Sequence, residues 1–586
     1  MRFLGGWRGH RILAVLLTAG LVAPVLAGAT QPPAPGADID PAVLALVRER
    51  MRAPVERGFT SRVRRAAAVR ASGLEAASAK STVSGAVSVP VIMAAFSNTP
   101  AIPYPVADLQ TELFNGPWPT GTMSEFYDAM SYGNLEVNGK VHNWIVLPKS
   151  DTYYEGGVGC NGLCGSAKVG EFLRSSLDAL DGSVNFGQYD NDGPDGVPNS
   201  GDDDGYVDFV AFVHPEYGGE CGGTNIWSHR WQLSGWGGGD YATNDARSGG
   251  GFVRVSDYVI QPALACDGVD MIEIGVFAHE FGHAFGLPDF YDTDGTSEGA
   301  GNWALMAAGS WGGDDFSPDS PSYMSAWSKM FLGWIQPTVV SETTQGVALP
   351  ASELTPAAVK LPFGVGVEPD QYFLVENREK IGFDASIRQG GLLIWHIDES
   401  KWNGFFNDAN TSECIDGPVA GACGAAHYMK ALEQADGRFD LERGMNRADA
   451  GDPFRAPVKT SFTPDTTPWS RDYAAVGAAW PSITNISAAG ATMTFDVHYD
   501  AVVCNDADGD GYGDPASAAC VSAAGDCDDA NAAVHPDAEE IPGNGVDENC
   551  TGNEYCGSIP GRGGSAGALA AYGGMLGLFI AARRRR

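Results

Sequence analysis

The stretch AHEFGHAFGLPDFYD, Ala278 to Asp292, decides how the chain is read. In a helix, positions four apart lie on one face, so His279 and His283 would present two imidazoles to one ion. Glu280, one position round from His279, would reach a water beside that ion rather than the ion itself. Gly286 falls where the helix must stop, because glycine takes the left-handed conformation that reverses the chain at little cost. The reversal would carry Asp289 back toward the histidines; Asp292, Asp294 and Glu298 are alternative third donors. Three protein donors leave the fourth position of a tetrahedral zinc open, which is the arrangement of a catalytic site.

Composition makes the surroundings of that stretch a large folded body. With 586 residues, 44% hydrophobic and 10% aromatic, the chain exceeds what one core organises and reads as several packed units. Its 37 Lys and Arg against 73 Asp and Glu give a net charge of −36, which repels nucleic acid and attracts divalent cations. Nucleic acid is thereby excluded as a partner, and a monomer is expected.

Residues 1–29 place Arg2, Arg8 and Arg11 ahead of a short apolar run closed by Ala27 and Ala29, the plan of a secretory signal peptide. Outside the cytoplasm the 11 cysteines should form disulfides, and several sit close together: Cys160 with Cys164, Cys414 with Cys423, Cys504 with Cys520, Cys527 with Cys550. Spacing alone does not fix their partners. Residues 30–88 are helix-prone and basic and read as a propeptide whose arginines dock on an acidic enzyme, with Arg64-Arg65 a candidate processing site. No cysteine lies there, so latency through a cysteine donor is excluded.

From residue 89 to 337, apolar runs such as VPVIMAAF and YVDFVAFVHPEY alternate with helix-like segments such as KVGEFLRSSLDAL, which predicts an α/β unit. Residues 338–500, with YFLVENR, GGLLIWHIDE and ATMTFDVHYD between Gly/Asp/Asn loops, predict a β-rich second domain. Residues 501–556 hold too few large apolar side chains for a core, so a small spacer stabilised by disulfides and calcium is expected. Residues 557–586 carry an apolar stretch closed by Arg583 to Arg586, an anchor-like end.

Two acidic regions suit calcium, which accepts six to eight hard oxygen donors in irregular geometry. The first crowds Asp190, Asn191, Asp192, Asp202, Asp203, Asp204 and Asp208 into glycine-rich turns, with Asp190, Asp192, Asp204 and Asp208 the expected donors. The second is DADGDGYGD, where Asp506, Asp508, Asp510 and Asp514 match positions of an EF-hand-type loop and Gly511 supplies the turn. Ser517 stands where such a loop needs its bidentate glutamate, so this is a fragment of the motif. His214, His229, His396 and His427 read as hydrogen-bonded structural residues; His229, in IWSHRW, is the one that could face a cleft.

The longer pattern His279, His283, Gly286 and Asp289 resembles the H-E-x-x-H-x-x-G-x-x-[HD] signature of metzincin proteases, and Met306 in NWALMAAGSWGG stands where that clan has its Met-turn beneath the zinc. The chain further resembles the M6-type, immune inhibitor A-like secreted metalloproteases. The motifs are FYDAMSYGNLEVNGKV, YDNDGPDGVPNSGDDDGYVDFVAFVHP, IWSHRW, HEFGHAFGLPDFYD, LMAAGSW, LVENREKIGFDASIRQGGLLIWHIDE, and LEQADG followed by AGDPF. Asp195 to Asp202 departs from that family as an insertion. GDCDDANAAVHPDAEEIPGNGVDENCTG resembles MopE-like metal-binding repeats, in which Asp526, Asp528, Asp529, Asn531, Asp547 and Asn549 would supply oxygens. The tail resembles myxobacterial sorting tags, which would make Cys556 the processed residue and retain the protein at the cell surface or membrane.

The resemblances imply an α/β metzincin-like catalytic domain that hydrolyses proteins or peptides, with Zn2+ and Ca2+ as cofactors and Glu280 as general base. A calcium-dependent surface adhesion or scaffold protein with an inactive protease-like domain is the alternative from a different class. A zinc hydrolase acting on a non-peptide substrate would share the same donors.

Overall fold

The computed structural model describes residues 31–32, 83–293, 295–312, 318–364, 370–402, 409–410, 413–414, 426–473, 480–499, 507–512, 526–541 and 544–551. The signal peptide, Arg64-Arg65, Asp294, Asp506, Asp514, Cys556 and the C-terminal tag lie outside these residues. The chain divides into two compact units, Met1–Ala501 and Val502–Arg586.

The first unit is built on strands β1 (Gly85–Ala95), β2 (Leu135–Val146), β3 (Val210–Tyr217), β4 (His229–Gln232), β5 (Tyr241–Ala246), β6 (Phe252–Val255) and β7 (Asp257–Leu264). Five of them form a sheet in the order β2-β1-β3-β7-β4. β1 runs parallel to β2 and β3, β3 runs parallel to β7, and β4 closes the edge antiparallel to β7. β5 and β6 make a separate antiparallel pair. The α-helices are α1 (Val106–Gln110), α2 (Met123–Ser131), α3 (Asp151–Glu155), α4 (Val169–Leu180), α5 (Ile274–Ala284) and α6 (Ala326–Phe331). Alternation places Val89, Val91 and Met93 of β1 in one core with α2 and α5, while Ile92 and Ala94 enter a second core with α4. Strands covered on both faces read as near-continuous apolar runs, which is why VPVIMAAF carries no polar residue.

The region after residue 337 adds β8 (Thr338–Val339), β9 (Thr344–Pro350), β10 (Val359–Pro362), β11 (Gln371–Arg378), β12 (Gly391–Asp398), β13 (Lys430–Leu432), β14 (Pro481–Thr484) and β15 (Thr492–Tyr499). They form a five-stranded sheet, β13-β12-β11-β10-β8, and a three-stranded one, β14-β15-β9. Tyr372 and Leu374 of β11, with Leu393, Trp395 and Ile397 of β12, join the core that holds α5. Their neighbours Phe373, Val375, Leu392 and Ile394 pack instead with Phe495 and Val497 of β15. One hydrophobic core therefore runs across residue 337.

α5 is buried along its whole length, including His279, Glu280 and His283. It ends where the glycine was expected: Gly286 has φ 100°, its N–H donates to His283 O, and Leu287 N–H donates to Gly282 O. Disulfides join Cys160 to Cys164 and Cys221 to Cys266 in this unit, and Cys527 to Cys550 in the second. Among the described residues the second unit has neither helix nor strand, and none of the chain's described helices is long and apolar enough to cross a membrane.

Candidate metal centre

His279 and His283 project from α5 toward the returning loop, and Asp289 meets them there. Asp289 Oδ1 lies 3.1 Å from His279 Nε2 and 3.2 Å from His283 Nε2. All three side chains and Glu280 are fully buried. His279 Nδ1 lies 2.9 Å from the Leu305 carbonyl oxygen and His283 Nδ1 lies 2.8 Å from that of Leu287. A carbonyl only accepts, so each Nδ1 carries hydrogen, and the lone pair of each neutral imidazole sits on Nε2, aimed at the shared point. Two Nε2 lone pairs and one carboxylate oxygen, with the outer nitrogens held by backbone, form a donor set that fits zinc.

Burial pushes both imidazoles toward the neutral form. At His279 the neighbouring Asp289 carboxylate, with Glu280, outweighs burial and holds it above the ordinary range; at His283 burial wins and holds it below. Burial would raise Asp289, but the two imidazoles keep its carboxyl below the usual range. The carboxylate is therefore ionised and available as a donor.

Met306 is wholly buried and lies against Gly282 of α5. A Cβ on Gly282 would stand 3.1 Å from Met306 Cε and nearer still to its Sδ, so a side chain at this helical position would have to displace the thioether. Phe290 N–H donates to Met306 O at 2.7 Å, which ties Met306 to the residue after Asp289. The chain leading to Met306 is held in turn from β11: Arg378 Nη1 donates to Trp303 O at 3.2 Å. Arg378 is buried against Asp384 (2.5 Å), Glu353 (3.2 Å) and Glu376 (3.7 Å). Three carboxylates share one guanidinium, and burial with the charge of Asp384 pushes Glu353 up to about 8 against the pull of Arg378.

Two of the other third-donor candidates have partners elsewhere. Asp292 Oδ2 accepts the Thr296 and Ser297 hydroxyls, each at 2.9 Å, and Glu298 pairs with Arg447 at 2.8 Å. His229 is buried, with Nδ1 2.7 Å from Trp227 O and Nε2 2.9 Å from Tyr258 Oη. His214 is buried beside it and pushed down to about 3 by desolvation. His396 and His427 stack on Tyr473 and meet Glu433 and Asp398.

In the aspartate loop the carboxylates within reach of one ion are Asp190, Asp192 and Asp203. Asp204, also expected there, accepts Tyr206 N–H at 2.9 Å through Oδ1, and Asp208 Oδ1 faces Asn191 N–H. In the second unit Asp508 comes together with Asp526 and Asp529, whereas Asp510 Oδ1 accepts Tyr512 N–H at 2.9 Å. Sequence reasoning also missed Glu220, buried next to Cys221, whose raised pKa comes from burial and which lies close enough to feel the charge of His279. Gly282 carried a signal, since glycine inside a helix costs about 1 kcal/mol and so marks a packing reason.

Residues 113–335 match the family of immune inhibitor A peptidase M6 catalytic domains. The match contains α5, the returning loop, Met306 and the acidic loop around Asp190. Residues 526–554 match a MopE-type metal-binding motif. The chain is 33% identical over 225 residues to the pre-pro-metalloprotease PrtV of Vibrio cholerae serotype O1, a stretch covering 36% of this chain and 23% of that protein. It is 31% identical over 231 residues to immune inhibitor A of Bacillus thuringiensis subsp. alesti, covering 36% and 31% respectively. The chain thus spans less than a third of the length of these curated relatives.

Proposed function

We propose that the chain is a secreted zinc metalloendopeptidase of the M6 type, made as a zymogen and retained at the cell surface, with His279, His283 and Asp289 as zinc donors. The observation that carries this reading is the convergence of two Nε2 atoms and one carboxylate oxygen on a single point. Zinc held there supplies a Lewis acid that makes water acidic and a carbonyl electrophilic. Glu280, in the turn of α5 that carries His279, takes the proton of the attacking water and returns it to the leaving amine nitrogen as the peptide bond breaks. Asp289 stays ionised throughout, and Leu305 O and Leu287 O hold the imidazoles in the donor tautomer. No side-chain nucleophile is needed, so hydrolysis proceeds without an acyl-enzyme.

Full burial of all four side chains fits a form closed to substrate. Calcium at Asp190, Asp192 and Asp203, and at Asp508, Asp526 and Asp529, would stiffen the loops that carry these carboxylates.

The test is Glu280→Gln. The variant should retain zinc at the wild-type stoichiometry by elemental analysis and lose casein hydrolysis by about 10²- to 10⁴-fold. Turnover at the wild-type rate would refute the role of Glu280; absence of zinc from the unaltered protein would refute the reading as a whole.

A further inference from the structure

Gln31 and Pro32 belong to the segment read as a propeptide, yet they are seated in the body of the catalytic unit. Gln31 is 5% exposed. Its side-chain amide donates to Glu298 Oε2 at 2.9 Å, its carbonyl accepts Trp311 Nε1–H at 2.6 Å, and the Pro32 carbonyl accepts Arg447 Nη1–H at 2.7 Å. These three partners come from three stretches of chain. Glu298 lies on the loop that follows Asp289, Trp311 lies five residues beyond Met306, and Arg447 follows β13.

The pocket is built. Arg447 Nε also donates to Glu298 Oε2 at 2.8 Å, with both side chains nearly buried. The backbone of Arg447 is fixed by Asn302 N–H, which donates to Arg447 O at 2.8 Å. Gly301, with φ 54°, lets that carbonyl approach, because a Cβ there would overlap it. The contacts read one side chain and two consecutive carbonyls, as a pocket for an extended dipeptide does. Two of the three donated hydrogen bonds involve a charged partner, the stronger class.

We propose that Gln31-Pro32 is a docking element: the Glu298–Arg447–Trp311 pocket keeps the N-terminal segment bound to the catalytic unit as a separate chain after the connection between residues 32 and 83 is cut. A propeptide held this way leaves by dissociation and not at the moment of cleavage. The inference does not depend on hydrolysis, because its readout is retention of a fragment.

The experiment uses the full-length chain carrying Glu280→Gln, to prevent self-digestion, with the recognition sequence of a site-specific protease inserted after Arg65. After cutting, the N-terminal fragment should co-elute with the body on gel filtration. Gln31→Glu sets a carboxylate against Glu298 and should weaken rebinding of the fragment by tenfold or more; Gln31→Ala, which only deletes the amide, should fall between. Neither substitution touches the residues of the pocket. Release of the unaltered fragment on cutting, or equally firm retention of the Gln31→Glu fragment, would overturn the proposal.

Discussion

Replacing Gly282 with alanine should weaken the metal centre while improving the helix that carries it. On propensity alone the change stabilises a helix interior by about 1 kcal/mol. The new methyl, however, would stand 3.1 Å from Met306 Cε and closer to Sδ, where carbon contacts ordinarily settle at about 3.5–4.0 Å. Met306 has little freedom to withdraw, because its carbonyl is bound by Phe290 N–H and its side chain is fully buried. Overpacking of this kind costs about 1–3 kcal/mol, so the sum runs from neutral to about 2 kcal/mol unfavourable. The displaced helix carries His279 and His283 on either side of residue 282, so zinc affinity should fall about tenfold. Chelator competition measures the affinity and guanidinium denaturation the stability. Met306→Ala removes the obstacle at the cost of a cavity, and the double variant should lose at least about 1 kcal/mol less than the two single losses combined. A Gly282→Ala protein that is more stable and binds zinc as well as the parent, or strict additivity with Met306→Ala, would refute the packing account.

Arg378→Met should cost about 3–5 kcal/mol, since Asp384, Glu353 and Glu376 would be left buried without their cation; an unchanged denaturation midpoint would contradict this. The same variant frees Trp303 O and should speed zinc release in a chelator chase. Calcium should raise the melting temperature more at pH 8 than at pH 5.5. Asp190 is pushed from 3.8 up to about 7, first by burial and then by Asp203, Asp204 and Asp192. Without cation the folded chain therefore holds the extra proton between those values, and its stability falls as pH rises from about 4 to 7. Calcium competes with that proton, so an equal calcium effect at both pH values would remove Asp190 from the site.

The helix and its stop were legible because both are local. A four-residue interval sets His279 and His283 on one face, and only glycine suits the φ of 100° at residue 286. Sheet order was not legible, because the alternation of apolar runs with helix-like segments gives only the α/β class and not which strands pair. Loops were less legible, because which neighbouring acids gather depends on which way each turn faces: Asp203 comes together with Asp190 and Asp192. Arg378 gave no signal, since the carbonyl it holds lies 75 residues away. The division at residue 337 followed a change of texture, but alternate residues of β11 and β12 feed the core around α5.

The arginine that braces Trp303 stands 43 residues beyond the end of the family match at residue 335. A chain grows from its N-terminus, so His279, His283 and Asp289 are made before the arginine that holds Trp303. Until β11 is in place, the histidines rest on a turn with one support missing. Hydrolytic competence would then be among the last properties the polypeptide acquires, which shields the cell that makes it. The same order bears on expression: a gene fragment trimmed to the matched segment would encode the chemistry and omit its foundation.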